Sequence, residues 1–390
     1  MKTRSFTSQK VNQIKPSGIR RFFDLLAGME GSISLGVGEP DFPTPPHICE
    51  AAIQSIKRGE TSYTSNSGMP VLRQELSRYL KDNYNVEYDP NGELLITVGV
   101  SEALDLTLRA ILDPGDEVIT HDPCFVSYVP GIILAGGTPV MIPTTEENNF
   151  EISAADIEAR ITDKTKAILI GYPANPTGAV MSRDKLAQIA ELARHRGLLV
   201  ISDEIYAKLV YGVEHTCMAA LPEMKETTIL LGGLSKYYAM TGWRVGYAAG
   251  NKDIIAAMTK IHQYAIMCVP TMSQVAAIEA LRTGEASAEE MVAEYDRRRK
   301  VIVKGLNELG LSCFEPRGAF YAFPSIKSTG FTSEEFTEKL IMEEKVAVVP
   351  GTAFGQQGDG YVRCCYATSM AQIEEALSRM KRFLDKYRAA

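Results

Sequence analysis

The sequence predicts an α/β protein: a large unit with a mostly parallel, doubly wound sheet of seven strands flanked by helices, and a smaller α+β unit. Three observations predict it. Seven short apolar runs, at 94–98, 117–120, 140–142, 167–170, 198–201, 229–231 and 245–249, alternate with helix-length segments. Several are continuously hydrophobic, as strands buried on both faces of a parallel sheet are. After about residue 280 the pattern changes to long helical periodicity, and 390 residues exceed one simple core and fit two domains.

The elements follow in order. Residues 1–45 show little helical periodicity beyond 20–27 and end in the turn Glu39-Pro40-Asp41-Phe42-Pro43-Thr44-Pro45-Pro46. Pro46 opens a helix through Ala52 and Ile56, because the first helical position has no use for an N–H. Segment 182–196 has the apolar spacing of a crossover helix. A long helix is predicted over 286–309, with Arg297-Arg298-Arg299-Lys300 as a solvated face. Thr332-Ser333-Glu334-Glu335 forms a capping box ahead of Phe336 and Leu340. In the last helix Ile373, Leu377, Met380, Leu384 and Tyr387 share one face.

Composition narrows the function classes. Hydrophobic content of 45% and charged content of 23% are those of a globular protein. A net charge of −7 argues against nucleic acid as the main partner, yet leaves room for a local basic pocket. The N-terminus has basic residues but no apolar core, so no signal peptide is expected, and no run is long enough to span a membrane. The seven cysteines, at 49, 124, 217, 268, 313, 364 and 365, form no C-x-x-C pair. Neither a metal site nor a disulfide framework is indicated, and a reducing cytoplasm fits.

The chemistry concentrates in Leu234-Ser235-Lys236-Tyr237-Tyr238-Ala239-Met240-Thr241-Gly242-Trp243-Arg244-Val245-Gly246-Tyr247. Lys236 follows an apolar strand and Gly232-Gly233. A lysine held on such a turn is desolvated, which lowers its pKa and makes it a nucleophile toward carbonyls. Arg244 keeps its charge and suits a phosphate. An amine nucleophile beside a phosphate anchor points to pyridoxal phosphate held as a Schiff base.

Other candidates converge on the same ligand. Asp203 directly follows the run 198–202 at a strand's carboxyl end, where ligands bind in open α/β sheets. A protonated pyridine nitrogen would pair with it; a helix N-cap is the alternative. Tyr206 is placed to donate to the cofactor's phenolic oxygen, or to lie half-buried in the core. Asn175 lies in the turn Tyr172-Pro173-Ala174-Asn175-Pro176-Thr177-Gly178, again at a strand's carboxyl end. In Thr97-Val98-Gly99-Val100-Ser101-Glu102-Ala103 a strand meets a helix, and the N–H groups of Val100, Ser101 and Glu102 form an anion site. Phe125 has the ring to stack on a planar cofactor. Arg363, in an otherwise apolar strand, needs an anion: a substrate carboxylate or an internal salt bridge.

With these residues the chain resembles the class I pyridoxal-phosphate-dependent aminotransferases, of the aspartate and aromatic type. The resemblance runs from about residue 33 to 382 and rests on seven motifs in one order: 35–40, 63–68, 99–103, 175–178, 203–206, 235–247 and Arg363. It implies fold type I, with an N-terminal arm and part of the small domain at 1–45, a large cofactor-binding domain at 46–285 and a small domain at 286–390. It implies that Lys236 bonds the cofactor and then shuttles the proton. Asp203 pairs with the ring nitrogen, Tyr206 and Asn175 hold the phenolic oxygen, and Phe125 stacks. Arg244, Ser101, Ser235 and the amides around Val100 hold the phosphate. Arg363, Asn175 and the Gly38 backbone take the α-carboxylate. Tyr63 reaches the neighbouring subunit's phosphate, which implies a homodimer. Many relatives have serine where this chain has Gly233, and tryptophan or tyrosine where it has Phe125.

The implied reaction is transfer of an amino group from an L-amino acid to a 2-oxo acid such as 2-oxoglutarate. Arg20 or Arg21, in a segment resembling a closing arm, would contact a distal carboxylate, with Arg109 a second candidate. Aspartate, aromatic amino acids and acylated diaminopimelate all remain open as donors. A carbon–sulfur lyase on the same scaffold is the alternative. A DNA-binding regulator is disfavoured, since only about 30 residues precede the first motif.

Overall fold

The computed structural model describes residues 6–14, 16 and 29–388. The stretch 20–27, with Arg20 and Arg21, lies outside them. In chain order the strands are β1 (Ile33–Ser34), β2 (Leu94–Val98), β3 (Glu117–Asp122), β4 (Thr138–Pro143), β5 (Thr165–Ile170), β6 (Leu199–Asp203), β7 (Thr228–Gly233), β8 (Val245–Ala249), β9 (Tyr321–Ala322), β10 (Val346–Ala347), β11 (Val349–Pro350) and β12 (Val362–Cys365).

All seven apolar runs become strands of one sheet, in the order β2-β8-β7-β6-β5-β3-β4. Neighbours are parallel except at β8, which runs antiparallel to both β2 and β7. Both faces of the sheet are covered. Along β5, Ile168 and Ile170 enter one core cluster while Ala167 and Leu169 enter another. That alternation follows from the period of two in a strand. Each such Ile or Leu taken fully from water contributes roughly 1.5–3 kcal/mol before entropy is counted.

Helices fill the two faces. Gly99–Ile111 sets Leu104, Leu108 and Ile111 against Ile255 and Met258 of helix Lys252–Ala265. Arg183–Arg196 buries Leu186, Ile189 and Ala193 on the other face. It starts where the Ser182 side chain accepts from the Lys185 N–H, and ends at Gly197 with φ +65°. Helix Pro46–Lys57 begins at Pro46, as its sequence requires.

The C-terminal elements, joined by β1 from the N-terminal part of the chain, form two small sheets. β1 pairs parallel with β10, and β11-β12-β9 is antiparallel. The capping box forms between Thr332 and Glu335 and opens helix Ser333–Glu344. Helix Met370–Arg388 buries Ile373, Ala376, Met380, Phe383 and Leu384.

The long helix Glu285–Glu308 corrects one expectation. Arg297 and Lys300 are solvated, but Arg298 and Arg299 are buried. Arg298 pairs with Asp41 at 2.7 Å and Glu294 at 2.9 Å, and Arg299 with Asp296 and Glu315. A guanidinium tolerates burial only with such partners. Among the described residues no helix is long and apolar enough to cross a membrane, and no cluster of acidic, His and Cys side chains could hold a metal ion.

Candidate active site

The carboxyl ends of β3, β5, β6 and β7 open onto one cavity of about 540 Å³. It is lined by residues of the strand-end turns, by Gly36–Glu39 and by Tyr321 and Arg363 of the C-terminal unit. This is the crevice in which open α/β sheets bind ligands.

Lys236 stands three residues beyond β7. Its Nζ donates to the Gly38 carbonyl at 2.6 Å and lies within 6 Å of the Tyr206 and Phe320 rings, at 5.9 and 5.7 Å. Burial among these rings disfavours the ammonium and lowers its pKa to about 8. Asp203, the last residue of β6, is buried, and burial raises its carboxyl to about 6. Two donors oppose that rise: the Tyr128 hydroxyl at 2.9 Å and the Ile205 N–H at 3.3 Å. Tyr206 is fully in the core rather than half-buried, and shares a 2.7 Å hydroxyl–hydroxyl bond with Tyr321.

Arg363 is 3% exposed. Its Nη1 donates to Asn175 Oδ1 at 2.9 Å and its Nη2 to the Gly36 carbonyl at 2.7 Å, while Nε has no partner. Among the described residues no carboxylate pairs with it, so no internal salt bridge is seen there. A buried guanidinium with spare N–H groups facing a cavity is an anion site.

A second cationic corner lies where β2 meets helix Gly99–Ile111. Gly99 adopts φ +72°, and a Cβ there would stand 2.5 Å from Arg244 Nη2. Only glycine lets the guanidinium approach this turn. Arg244 itself has φ +55°, an uncommon conformation for a side chain of its size, and its Nη1 donates to the Thr241 carbonyl at 3.0 Å. Val100, Ser101 and Ser235 line the cavity beside it. Phe125 lines it too, its ring edge-to-face with Tyr128 at 5.7 Å.

Some candidates stand elsewhere. Glu102 does not line the cavity. Its carboxylate accepts from the Val98 N–H at 2.6 Å and meets His262 Nδ1 at 2.8 Å. Tyr63 is 80% exposed, away from this chain's own cavity. Arg109 is exposed and paired with Asp105, and it does not line the cavity. Two contributors went unread in the sequence, Tyr128 and Tyr321. The only signal for Tyr128 was its place three residues after Phe125.

Comparison with known proteins gives the family. The family model for class I and II aminotransferases matches residues 30–380. The Bacillus subtilis protein YugH is 56% identical over 98% of this chain and 99% of its own. Aspartate aminotransferase of Pyrococcus abyssi is 48% identical over 97% and 98%. The crystal structure of an aromatic aminotransferase from Pyrococcus horikoshii superposes with a TM-score of 0.90 at 44% identity, covering 95% of this chain and all of that one. A lysine, an aspartate and two arginines around one strand-end crevice thus have a family context, and the chain belongs to the class I and II aminotransferases.

Proposed function

We propose that this cavity is where the protein, a pyridoxal-phosphate-dependent aminotransferase, moves an amino group between an L-amino acid and a 2-oxo acid. The observation that carries the placement is the pair Lys236 and Asp203: a half-buried amine just past the end of one strand and a buried carboxylate at the end of its neighbour, lining one cavity with Arg363.

The donor set fits the cofactor on three counts. Asp203 is a buried carboxylate with no salt-bridge partner among the described residues, ready for a cationic ring nitrogen. Gly99 keeps open a cradle that a Cβ would fill, beside Arg244 and the amides of Val100 and Ser101, which suits a phosphate. Lys236 is a lysine poised near neutrality, which suits imine chemistry. Tyr206 and Asn175 supply donors for a phenolic oxygen, Ser235 a hydroxyl for the phosphate, and Phe125 a ring to stack. Bound there, pyridoxal phosphate supplies an electron-withdrawing ring that accommodates charge developing at the substrate's α-carbon.

The remaining roles belong to the chain. Arg363 and Asn175 orient the substrate's α-carboxylate, with Gly38 contributing its backbone. Lys236 Nζ, partly free base near pH 8, removes the α-proton and later returns it. Asp203 stays ionised beside a cation and stabilises the charge that develops. The division into a 1–45 arm, a 46–285 large domain and a 286–390 small domain accompanies this reading. So does a cytoplasmic homodimer in which Tyr63 serves the neighbouring site; the 80% exposure of Tyr63 supports that use.

Aspartate and aromatic names both occur among the relatives, so the donor is decided by assay. Purified protein with added cofactor and 2-oxoglutarate is offered aspartate, tyrosine, phenylalanine and N-acetyl-diaminopimelate. Glutamate formed without ammonia establishes transfer and names the donor class. Ammonia released without an acceptor would replace transfer by elimination.

A further inference from the structure

Two aromatic rings pack against the Arg363 guanidinium. Its central carbon lies 4.4 Å from the Tyr321 ring centre and 4.8 Å from that of Phe354. Its edge is fixed by Asn175 and Gly36. A planar guanidinium held along its edge and packed against two rings has the plane of its remaining N–H groups fixed, the geometry a carboxylate reads.

Each ring needs a support of its own. Tyr321 has its hydroxyl bond to Tyr206. Phe354 has no polar group, and it ends the short turn Gly351–Phe354. Behind it stands Phe323, at 6.5 Å between ring centres. The backbone around it is gripped from β3. Asp122, the buried last residue of β3, accepts from the Gln356 N–H through Oδ2 at 3.1 Å and from the Gln357 N–H through Oδ1 at 3.2 Å. Two residues on, the Cys124 N–H donates to the Phe354 carbonyl at 2.9 Å. Between these contacts Gly355 adopts φ +138°, and a Cβ there would overlap the Asp122 carboxylate. Three hydrogen bonds and one obligatory glycine therefore tie residues 354–357 to the end of β3.

Taking Arg363 as the carboxylate anchor proposed above, we propose that Asp122 is a positioning residue for substrate binding: it holds Phe354 against the Arg363 guanidinium and so sets the plane in which that group meets the carboxylate. The run Asp122-Pro123-Cys124-Phe125 thereby serves two sites at once, the Phe125 ring and the Phe354 ring. Burial pushes the Asp122 carboxyl upward, while the two backbone N–H groups hold it down. A carboxylate spent on two loop amides, with no paired cation among the described residues, has a positioning rather than a charge-balancing role.

The test is steady-state kinetics on the cofactor-loaded enzyme, with the cofactor's visible spectrum recorded for each variant. Asp122→Ala is predicted to raise KM for the amino donor about tenfold, the scale of one desolvated cation–π contact. Its kcat stays within about twofold and its spectrum is unchanged, since Lys236 and Asp203 are untouched. Asp122→Asn, which keeps one acceptor, gives an intermediate KM. Phe354→Leu raises KM alike without disturbing the Asp122 bonds, and decides the matter if Asp122→Ala does not fold. KM within about twofold of the parent in either folded variant overturns the proposal. So does a parallel fall of kcat, substrate affinity and cofactor retention, which is the mark of a general structural role. Arg363→Lys separates the two levels. If it raises KM and the Asp122 and Phe354 variants do not, only the positioning role falls. If it leaves KM unchanged, the carboxylate anchor falls and the positioning role with it.

Discussion

The Tyr128 hydroxyl donates to Asp203 Oδ2 at 2.9 Å, across the end of the intervening strand β5. Tyr128 opens the helix that follows β3, and β5 lies between β3 and β6 in the sheet. The crossing is possible because residue 171, just past β5, is glycine; a Cβ there would overlap the hydroxyl. The bond favours the ionised form of a carboxyl that burial otherwise pushes up to about 6.

Tyr128→Phe removes a donor that lowers the Asp203 pKa, so that pKa rises and the neutral carboxyl persists to higher pH. A hydrogen bond to a charged group is worth about 1.5–3 kcal/mol, or roughly one to two pH units. The acid limb of the kcat/KM profile should move upward by about one unit, and the loss should be larger at pH 6 than at pH 8. Profiles of the two enzymes from pH 5.5 to 9 check this; parallel curves would refute it.

In the cofactor-free protein Lys236 should behave as an amine of pKa about 8. Burial lowers the pKa of a base, so its free-base fraction grows as pH rises through 8, well below the usual range for lysine. Pulse acetylation with peptide mapping reads this directly. The Lys236 peptide should show a midpoint near 8, whereas a midpoint near 10 would mean that the amine is solvated.

Gly99→Ala sets a methyl group against Arg244 and forces a side chain into φ +72°. Strain of this kind costs roughly 1–3 kcal/mol, and the guanidinium must retreat from the phosphate corner. Cofactor affinity, followed by absorbance on serial dilution, should fall about tenfold or more. Unchanged retention would place the phosphate elsewhere.

Much of this site was legible because functional residues end apolar runs. Asp203 closes one strand, Asn175 lies in the turn after another, and Lys236 follows a third within a distinctive run. What stayed hidden depends on partners far along the chain. Tyr128 reads as the start of a helix until Asp203, 75 residues on, is beside it, and Tyr321 needs Tyr206, 115 residues away. Arg298 and Arg299 looked solvated because helical periodicity says nothing of Asp41 and Glu315 arriving from other segments. The antiparallel direction of β8 was equally invisible, since an apolar run reads the same in either direction.

Arg298→Met tests the buried pairing that the charge run concealed. The change keeps the apolar stem under Phe42 and strands Asp41, about a quarter exposed, while Glu294 keeps its pair with Arg297. Breaking a fully buried pair costs about 3–5 kcal/mol, and the partial solvation of Asp41 should reduce this to about 2 kcal/mol. The urea midpoint should fall accordingly at constant slope; an unchanged midpoint would show that the pair contributes nothing net.

The central claim is that Lys236 is the amine to which the cofactor is bonded, and the most direct measurement is borohydride reduction of the cofactor-loaded protein followed by peptide mass mapping. The account predicts one phosphopyridoxyl group, on the peptide carrying Lys236, with loss of visible absorbance and of turnover. A label on another lysine, or none while activity is lost, would contradict it.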